Sequence, residues 1–357
     1  MTGTTPELGL IEGRFGRLWR EDERAHVVAT LASAGYAFYH YGPKADRALR
    51  REWRRPHDAA DTALLRRLSA QVRDAGMRFG LALTPVGASH PWDADTRADL
   101  ARRVADLDAI GIDDLVILFD DLRGDMPDLA ARQAEIVNAC AAQSRATRVY
   151  TCPTYYSDDP VLDIVFGRRA DDYLADLGRL LDPAVRVYWT GEEVCAKAIG
   201  PAHLARVTAT LGRPVCLWDN WPVNDGARMS RFLHLRAFTG RDARNARHLS
   251  GHAINPAIQP HLTCIPALTL PLVYRQGDDY AYGAAFASTA RRLLGSELGA
   301  MLHEDVAALQ DVGLERLGAR ADRLRARYGA IDHPAAREIV RWLDGDDLMT
   351  DDEVQTQ

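Results

Sequence analysis

Short apolar runs alternate with longer amphipathic stretches along most of this chain. The runs at 8–12, 36–41, 77–83, 115–119, 148–152, 185–189, 215–218 and 251–254 are brief and almost continuously apolar. That pattern predicts strands buried on both faces, as in a parallel sheet. Between them, 21–34, 61–75, 95–110, 128–143, 170–181, 201–211 and 229–238 carry apolar residues at helical spacing. Gly35, Gly76, Gly111 and Gly212 directly follow four of these stretches, where helices commonly stop. Eight strands alternating with helices predict an α/β fold, a (β/α)8 TIM barrel. From 259 the strand signals cease, and 280–294, 305–328 and 334–343 read as amphipathic helices. The expected division is a barrel over 1–258, a C-terminal helical appendage over 259–345, and an acidic tail over 346–357. The polar composition of that tail predicts disorder.

The run 115–119 ends in Asp120 and Asp121. In a barrel, side chains just past the C-terminal ends of the strands share one pocket. Two adjacent carboxyls repel each other, which favours one holding its proton as a general acid. The alternative is that the pair caps the next helix or lies in a solvated turn. Neighbouring residues on a strand point to opposite faces, so both acids reach one pocket only if the strand end bends.

The other strand ends deliver Gly13, Lys44, Cys152, Tyr156, Thr190, Trp218, Asn220, Asp225 and Asn255. Singly, each has a plain alternative. Lys44 could be a surface lysine, Tyr156 a core aromatic, and Asn220 and Asn255 turn formers beside prolines. Jointly, polar groups converging on one rim point to a ligand pocket. The residue types suit a sugar. Trp218 and Tyr156 offer apolar ring faces, while Lys44, Asn220, Asp225 and Asn255 can bond hydroxyls.

Length and charge narrow the reading. The 357 residues hold a barrel of roughly 250 with room for an appendage. The formal net charge is -6, from 44 basic and 50 acidic residues, which gives no electrostatic basis for binding nucleic acid. No apolar run approaches the roughly 18 residues of a membrane span. The opening MTGTTPELGL lacks a signal-peptide pattern. Five cysteines without a Cys-x-x-Cys pair suggest a reduced, cytoplasmic protein. His-Glu-x-x-His, a glycine-rich phosphate cradle and Gly-x-Ser-x-Gly are all missing, so neither metal nor cofactor is expected.

Several motifs, in order, carry a family resemblance. They are Leu10-Ile-Glu-Gly13-Arg-Phe-Gly16, Tyr41-Gly-Pro-Lys44-Ala-Asp and Arg51-Glu-Trp53-Arg-Arg-Pro56. Leu118-Phe-Asp120-Asp121, Cys152-Pro-Thr-Tyr-Tyr156 and Trp189-Thr190-Gly191 follow. Trp218-Asp-Asn220-Trp-Pro-Val-Asn-Asp225 and Asn255-Pro256 complete the series. Over roughly 8–260 the chain resembles glycoside hydrolase family 84, the β-N-acetylglucosaminidases. Arg14, Phe15, Tyr155 and Trp221 depart from the residues usual in that family.

The resemblance implies retaining hydrolysis of terminal β-linked N-acetylglucosamine, with a glycan or glycoprotein as partner. Asp120 would orient the substrate acetamido group, and Asp121 would act as general acid and then base. Gly13, Lys44, Asp225 and Asn255 would bind sugar hydroxyls. Tyr156, Trp218 and Asn220 would shape the acetamido and anomeric region, with Cys152 and Thr190 nearby. Most retaining glycosidases flank the scissile bond with two carboxyls about 5–5.5 Å apart. Adjacent residues are poorly placed for that. They suit a different arrangement, which the resemblance implies: attack by the substrate's own acetamido oxygen, through an oxazoline. A non-catalytic N-acetylglucosamine-binding protein and an unrelated barrel hydrolase or lyase stay open as alternatives. The C-terminal helices offer a surface for a homodimer.

Overall fold

The computed structural model describes residues 5–353. Its strands are β1 (Leu8–Glu12), β2 (Phe38–Tyr41), β3 (Arg78–Leu83), β4 (Asp114–Leu118), β5 (Arg148–Cys152), β6 (Arg186–Trp189), β7 (Val215–Asp219) and β8 (Leu249–Ile254). They pair in parallel in chain order, and β8 closes onto β1. Every residue of β1, β2, β4 and β7 is buried, because the barrel interior covers one face and helices cover the other. This two-sided burial is why the strands read as apolar runs rather than alternating ones.

The helices around the barrel are α1 (Glu21–Ser33), α2 (Ala59–Asp74), α3 (Ala94–Asp108), α4 (Leu129–Gln143), α5 (Val161–Phe166), α6 (Tyr173–Leu180), α7 (Pro201–Leu211), α8 (Gly226–Met229) and α9 (Pro260–Gln276). Asp58 and Asp93 accept the N–H groups of Asp61 and Thr96, each at 2.8 Å, and so start α2 and α3. Gly212, at φ 68°, ends α7 in the left-handed conformation.

Helix α9 moves the expected boundary at 258. Its Cys264, Ala267 and Leu270 belong to the barrel core, and the Ala267 carbonyl accepts the Tyr36 hydroxyl at 2.7 Å. Its Leu262 and Ile265 lie in a second core. That core is built with α10 (Tyr282–Val306, broken at Gly295), α11 (Arg320–Gly329) and α12 (Pro334–Asp344). Glu338 of α12 accepts the N–H groups of His261 and Leu262, each at 2.9 Å, and caps α9. The appendage is therefore joined to the barrel through a shared helix.

Three expected elements differ. The segment 230–238 is irregular, with turns and bends, and not helical. Leu233, Leu235 and Ala237 turn into the second core in alternation. The segment's N–H groups find acceptors far along the chain: Gln310 Oε1 accepts those of Leu235 and Arg236 at 2.9 and 3.0 Å. The stretch 305–328 is not one helix, but a wide turn over Ala307–Val312, a short turn at Leu314–Arg316, and α11. The expected disordered tail is packed over its first part. Asp347 and Met349 are buried, Asp347 accepts the Gln259 side-chain amide at 2.8 Å, and Met349 N–H donates to Ser230 Oγ at 3.0 Å. Residues 354–357 lie outside the described residues. Among the described residues no helix is long and apolar enough to cross a membrane.

Candidate active site

The C-terminal mouth of the barrel holds a cleft with about 700 Å³ of space, part of it open to solvent. All eleven residues expected at the strand ends line it.

Strand β4 ends at Leu118, and Asp121 then adopts φ 63°, in the left-handed region. This is the bend that lets adjacent carboxyls serve one cleft. The next helix, α4, starts at Leu129 with Asp128 before it, so neither Asp120 nor Asp121 caps a helix. Lys44 Nζ is ion-paired with Asp120 Oδ2 and lies 3.4 Å from Asp121 Oδ2. One cation thus bridges both acids. Burial pushes the Asp120 carboxyl above its usual range, and the Lys44 ammonium pulls it back only partly. Burial alone would lower Lys44, but the two carboxylates outweigh it and hold the ammonium above its ordinary value. Asp120 Oδ1 is buried with no hydrogen-bond partner among the described residues. A buried acceptor left open in this way costs about 1–3 kcal/mol, and here it faces the acid-lined cleft.

The rest of the wall comes from β5 to β8. The Tyr156 hydroxyl donates toward Asp121 Oδ1 at 3.5 Å, and burial keeps the phenol protonated. Burial likewise keeps the Cys152 thiol neutral beside the acids. Thr190 supports the rim rather than pointing a free hydroxyl: its N–H donates to Tyr156 O at 2.9 Å and its Oγ1 to Glu193 O at 3.2 Å. Trp218 Nε1 donates to Asn220 Oδ1 at 3.1 Å, and Asn220 Nδ2 to Val194 O at 2.7 Å. The Asn255 amide packs on that of Asn220 at 3.0 Å. Gly13 lies flat against the Trp218 ring, where a Cβ would sit 2.2 Å from a ring carbon. No larger residue fits without displacing the indole.

Phe15, Val194, Cys195, Val223 and Gly226 also line the cleft and were not among the expected site residues. Phe15 N–H donates to Asp225 Oδ2 at 2.8 Å, which partly offsets the upward push of burial on that carboxyl. Phe15 and Gly226 stand inside or next to quoted motifs. Val194 and Cys195 sit on the loop after β6 and have no local signal. Two other motif residues act from behind. Trp53 donates to Val86 O at 2.9 Å. Asn224 ties the β7 and β8 loops together, donating to Gln259 Oε1 at 3.0 Å and accepting the N–H of Ile258 at 2.9 Å.

A closed parallel barrel with paired carboxylates, a bridging lysine and aromatic walls at its C-terminal mouth has the architecture of a barrel glycosidase. The sequence model of a family described as beta-N-acetylglucosaminidase matches residues 8–310, and the chain belongs to that family. It is 26% identical over 279 residues to the Protein O-GlcNAcase of Rattus norvegicus, and equally to that of Mus musculus. Those alignments cover 75% of this chain but 30% of either relative. Among solved structures it resembles a mutant O-GlcNAc hydrolase of Thermobaculum terrenum. That match has 26% identity and a TM-score of 0.79, covering 94% of this chain and 80% of the other.

Proposed function

We propose that this chain hydrolyses terminal β-linked N-acetylglucosamine with retention, using the substrate's acetamido oxygen as nucleophile, and that it takes the sugar from proteins. The observation that carries this reading is the open Oδ1 of Asp120, buried beside Asp121 on the same wall. A carboxylate there is suited to accept an acetamido N–H. It also stabilises the positive charge that grows as the acetamido oxygen attacks the anomeric carbon. Asp121, with Tyr156 against it, gives its proton to the leaving oxygen and later takes one from the water that opens the oxazoline. Gly13, Lys44, Asp225 and Asn255 hold the sugar, against the Trp218 ring. The scheme calls for no cofactor, because the substrate supplies the nucleophile.

The test is turnover of aryl β-N-acetylglucosaminide against aryl β-glucoside. The glucoside lacks the acetamido group, so only the first is expected to react, and a thiazoline mimic of the oxazoline is expected to inhibit. Comparable cleavage of both would end the proposal. Thiazoline binding without turnover would leave a sugar-binding protein.

Lys44→Met removes the cation that opposes burial at Asp120. The Asp120 carboxyl then rises further, so the acid limb of the kcat/KM profile should move to higher pH. Loss of this charged hydrogen bond should also lower kcat/KM at neutral pH by about 10–100-fold. An unmoved limb would mean that Asp120 does not set it.

The protein substrate follows the names of the relatives. All five cysteines are unpaired, which fits a reducing compartment, and we read the enzyme as cytoplasmic. A homodimer through α10 to α12 would use mostly polar surface. From residue 282 to 353, Tyr282 and Leu348 are the exposed large apolar side chains.

A further inference from the structure

A second cavity opens beside the catalytic cleft, and the two share Cys195 and Asn220 in their walls. It lies among the β6 and β7 loops, the irregular segment 230–238 and the start of α10, with about 1230 Å³ of space that is partly open to solvent. Leu233, Leu235 and Ala237 of that segment fill the second core, which leaves His234 and Arg236 between them to line this groove. Trp221 stacks on His234, with ring centroids 4.7 Å apart and planes 17° apart. Both rings are held. His234 Nδ1 donates to Val223 O at 2.7 Å, and Trp221 Nε1 donates to Arg236 O at 3.2 Å. Tyr282, 52% exposed, adds another ring to the lining.

The charge is one-sided. Lys197, Arg236 and Arg241 line the groove, and no carboxylate does. Arg236 and Arg241 are committed to Asp311 and Asp219. Lys197 is exposed and makes no ion pair among the described residues. The amide oxygens that could accept from sugar hydroxyls are already engaged. Gln310 Oε1 accepts two backbone N–H groups, and the Asn220 amide is bonded to Val194 and Trp218. A glycan, dense in hydroxyls, would find few partners here. A peptide with apolar and acidic side chains would find flat rings and a free cation.

We propose that this groove binds the polypeptide on one side of the glycosylated Ser or Thr, selecting an aromatic or apolar side chain for Trp221 and Tyr282 and a carboxylate for Lys197. This rests on reading the adjoining cleft as the sugar site. A leaving chain that passes Cys195 and Asn220 enters the groove directly.

The test uses the full chain and three substrates: an aryl β-N-acetylglucosaminide, chitobiose, and O-GlcNAc-serine glycopeptides with Phe and Glu on either flank. Tyr282→Ala and Lys197→Glu should each lower kcat/KM for the better glycopeptide by about 3–10-fold. Both should leave the aryl substrate and chitobiose unchanged, and the aryl rate serves as the control for folding. Lys197→Glu should regain rate on the glycopeptide whose Glu is replaced by Lys. Unchanged rates on every glycopeptide would overturn the groove and leave the glycosidase reading standing. An equal loss on chitobiose would assign the groove to a glycan and overturn the peptide. No turnover of the aryl substrate by the native chain would remove both readings.

Discussion

Asp120→Asn is expected to lower kcat/KM for an aryl β-N-acetylglucosaminide by about 10²–10³-fold, the usual loss when one preorganised electrostatic group is removed. The fold should survive, because Asn keeps the shape and the position of Oδ1. What is lost is charge. Lys44 would face one anion instead of two, and the oxazolinium charge would have no carboxylate against it. The loss should be similar for good and poor leaving groups, since Asp120 acts on the nucleophile. Asp121→Ala should behave differently. It removes the proton donor, so the loss should be small for a dinitrophenyl leaving group and about 10²–10⁴-fold for a poor one. Equal sensitivity of both variants to the leaving group would show that the two roles are wrongly assigned. Activity of Asp120→Asn within tenfold of the native chain would remove Asp120 from the chemistry.

The largest effect on stability is expected behind the site, at Asp219. This buried carboxylate follows Trp218 and accepts from Arg241 at 2.5 and 2.7 Å and from His252 Nε2 at 2.9 Å. The other His252 nitrogen is 2.7 Å from the Tyr274 hydroxyl. Burial opposes the charge, but Arg241 and the bonds from Arg241 and His252 outweigh it and hold the carboxyl at about 2. Asp219→Ala leaves Arg241 and His252 buried without their anion. Breaking one side of a buried pair costs about 3–5 kcal/mol, which corresponds to roughly 5–10 °C in Tm. The pH dependence has a definite sign. A carboxyl held near 2 when folded, and near 3.9 when unfolded, stabilises the fold by about 2–3 kcal/mol above pH 4. That contribution fades as the pH falls toward 2. The gap in stability between native and Asp219→Ala chains should therefore narrow in acid, as followed by circular dichroism. A constant gap would mean that packing, not charge, accounts for the loss. KM should rise as well, because the Asp219 carbonyl accepts the Asn255 N–H at 2.8 Å and the residue sits between Trp218 and Asn220.

Much of the site was legible without coordinates. A parallel barrel buries its strands on both faces, so each strand declares itself as an apolar run. Residues at and shortly after the end of each run then lie near the common mouth. That brings Asp120, Lys44, Tyr156, Trp218 and Asn255 to one rim, and their types suit a sugar. The helices of the barrel were legible for a similar reason: each has one buried side, and caps such as Asp58 and Asp93 act within three residues.

Tertiary structure decided what local pattern cannot carry. Helix α9 has no polar stripe, because barrel and appendage cover it from two sides, and it contains Pro266 and Pro271. The sequence therefore showed a boundary where the structure has a shared helix. The segment 230–238 has apolar residues that fit either period. The Leu309 carbonyl and the Gln310 side-chain oxygen, distant in sequence, accept its N–H groups and keep it out of a helix. The tail reads as polar, yet Asp347 is enclosed by Gln259, Arg341 and Arg17. Most of all, the positive φ of Asp121 and the open Oδ1 of Asp120 depend on how β4 meets its neighbours. Sequence determined which groups reach the mouth of the barrel, since the apolar pattern that marks each strand and its end is local. Their mutual orientation, and the groove that adjoins them, came only from contacts between segments far apart in the chain.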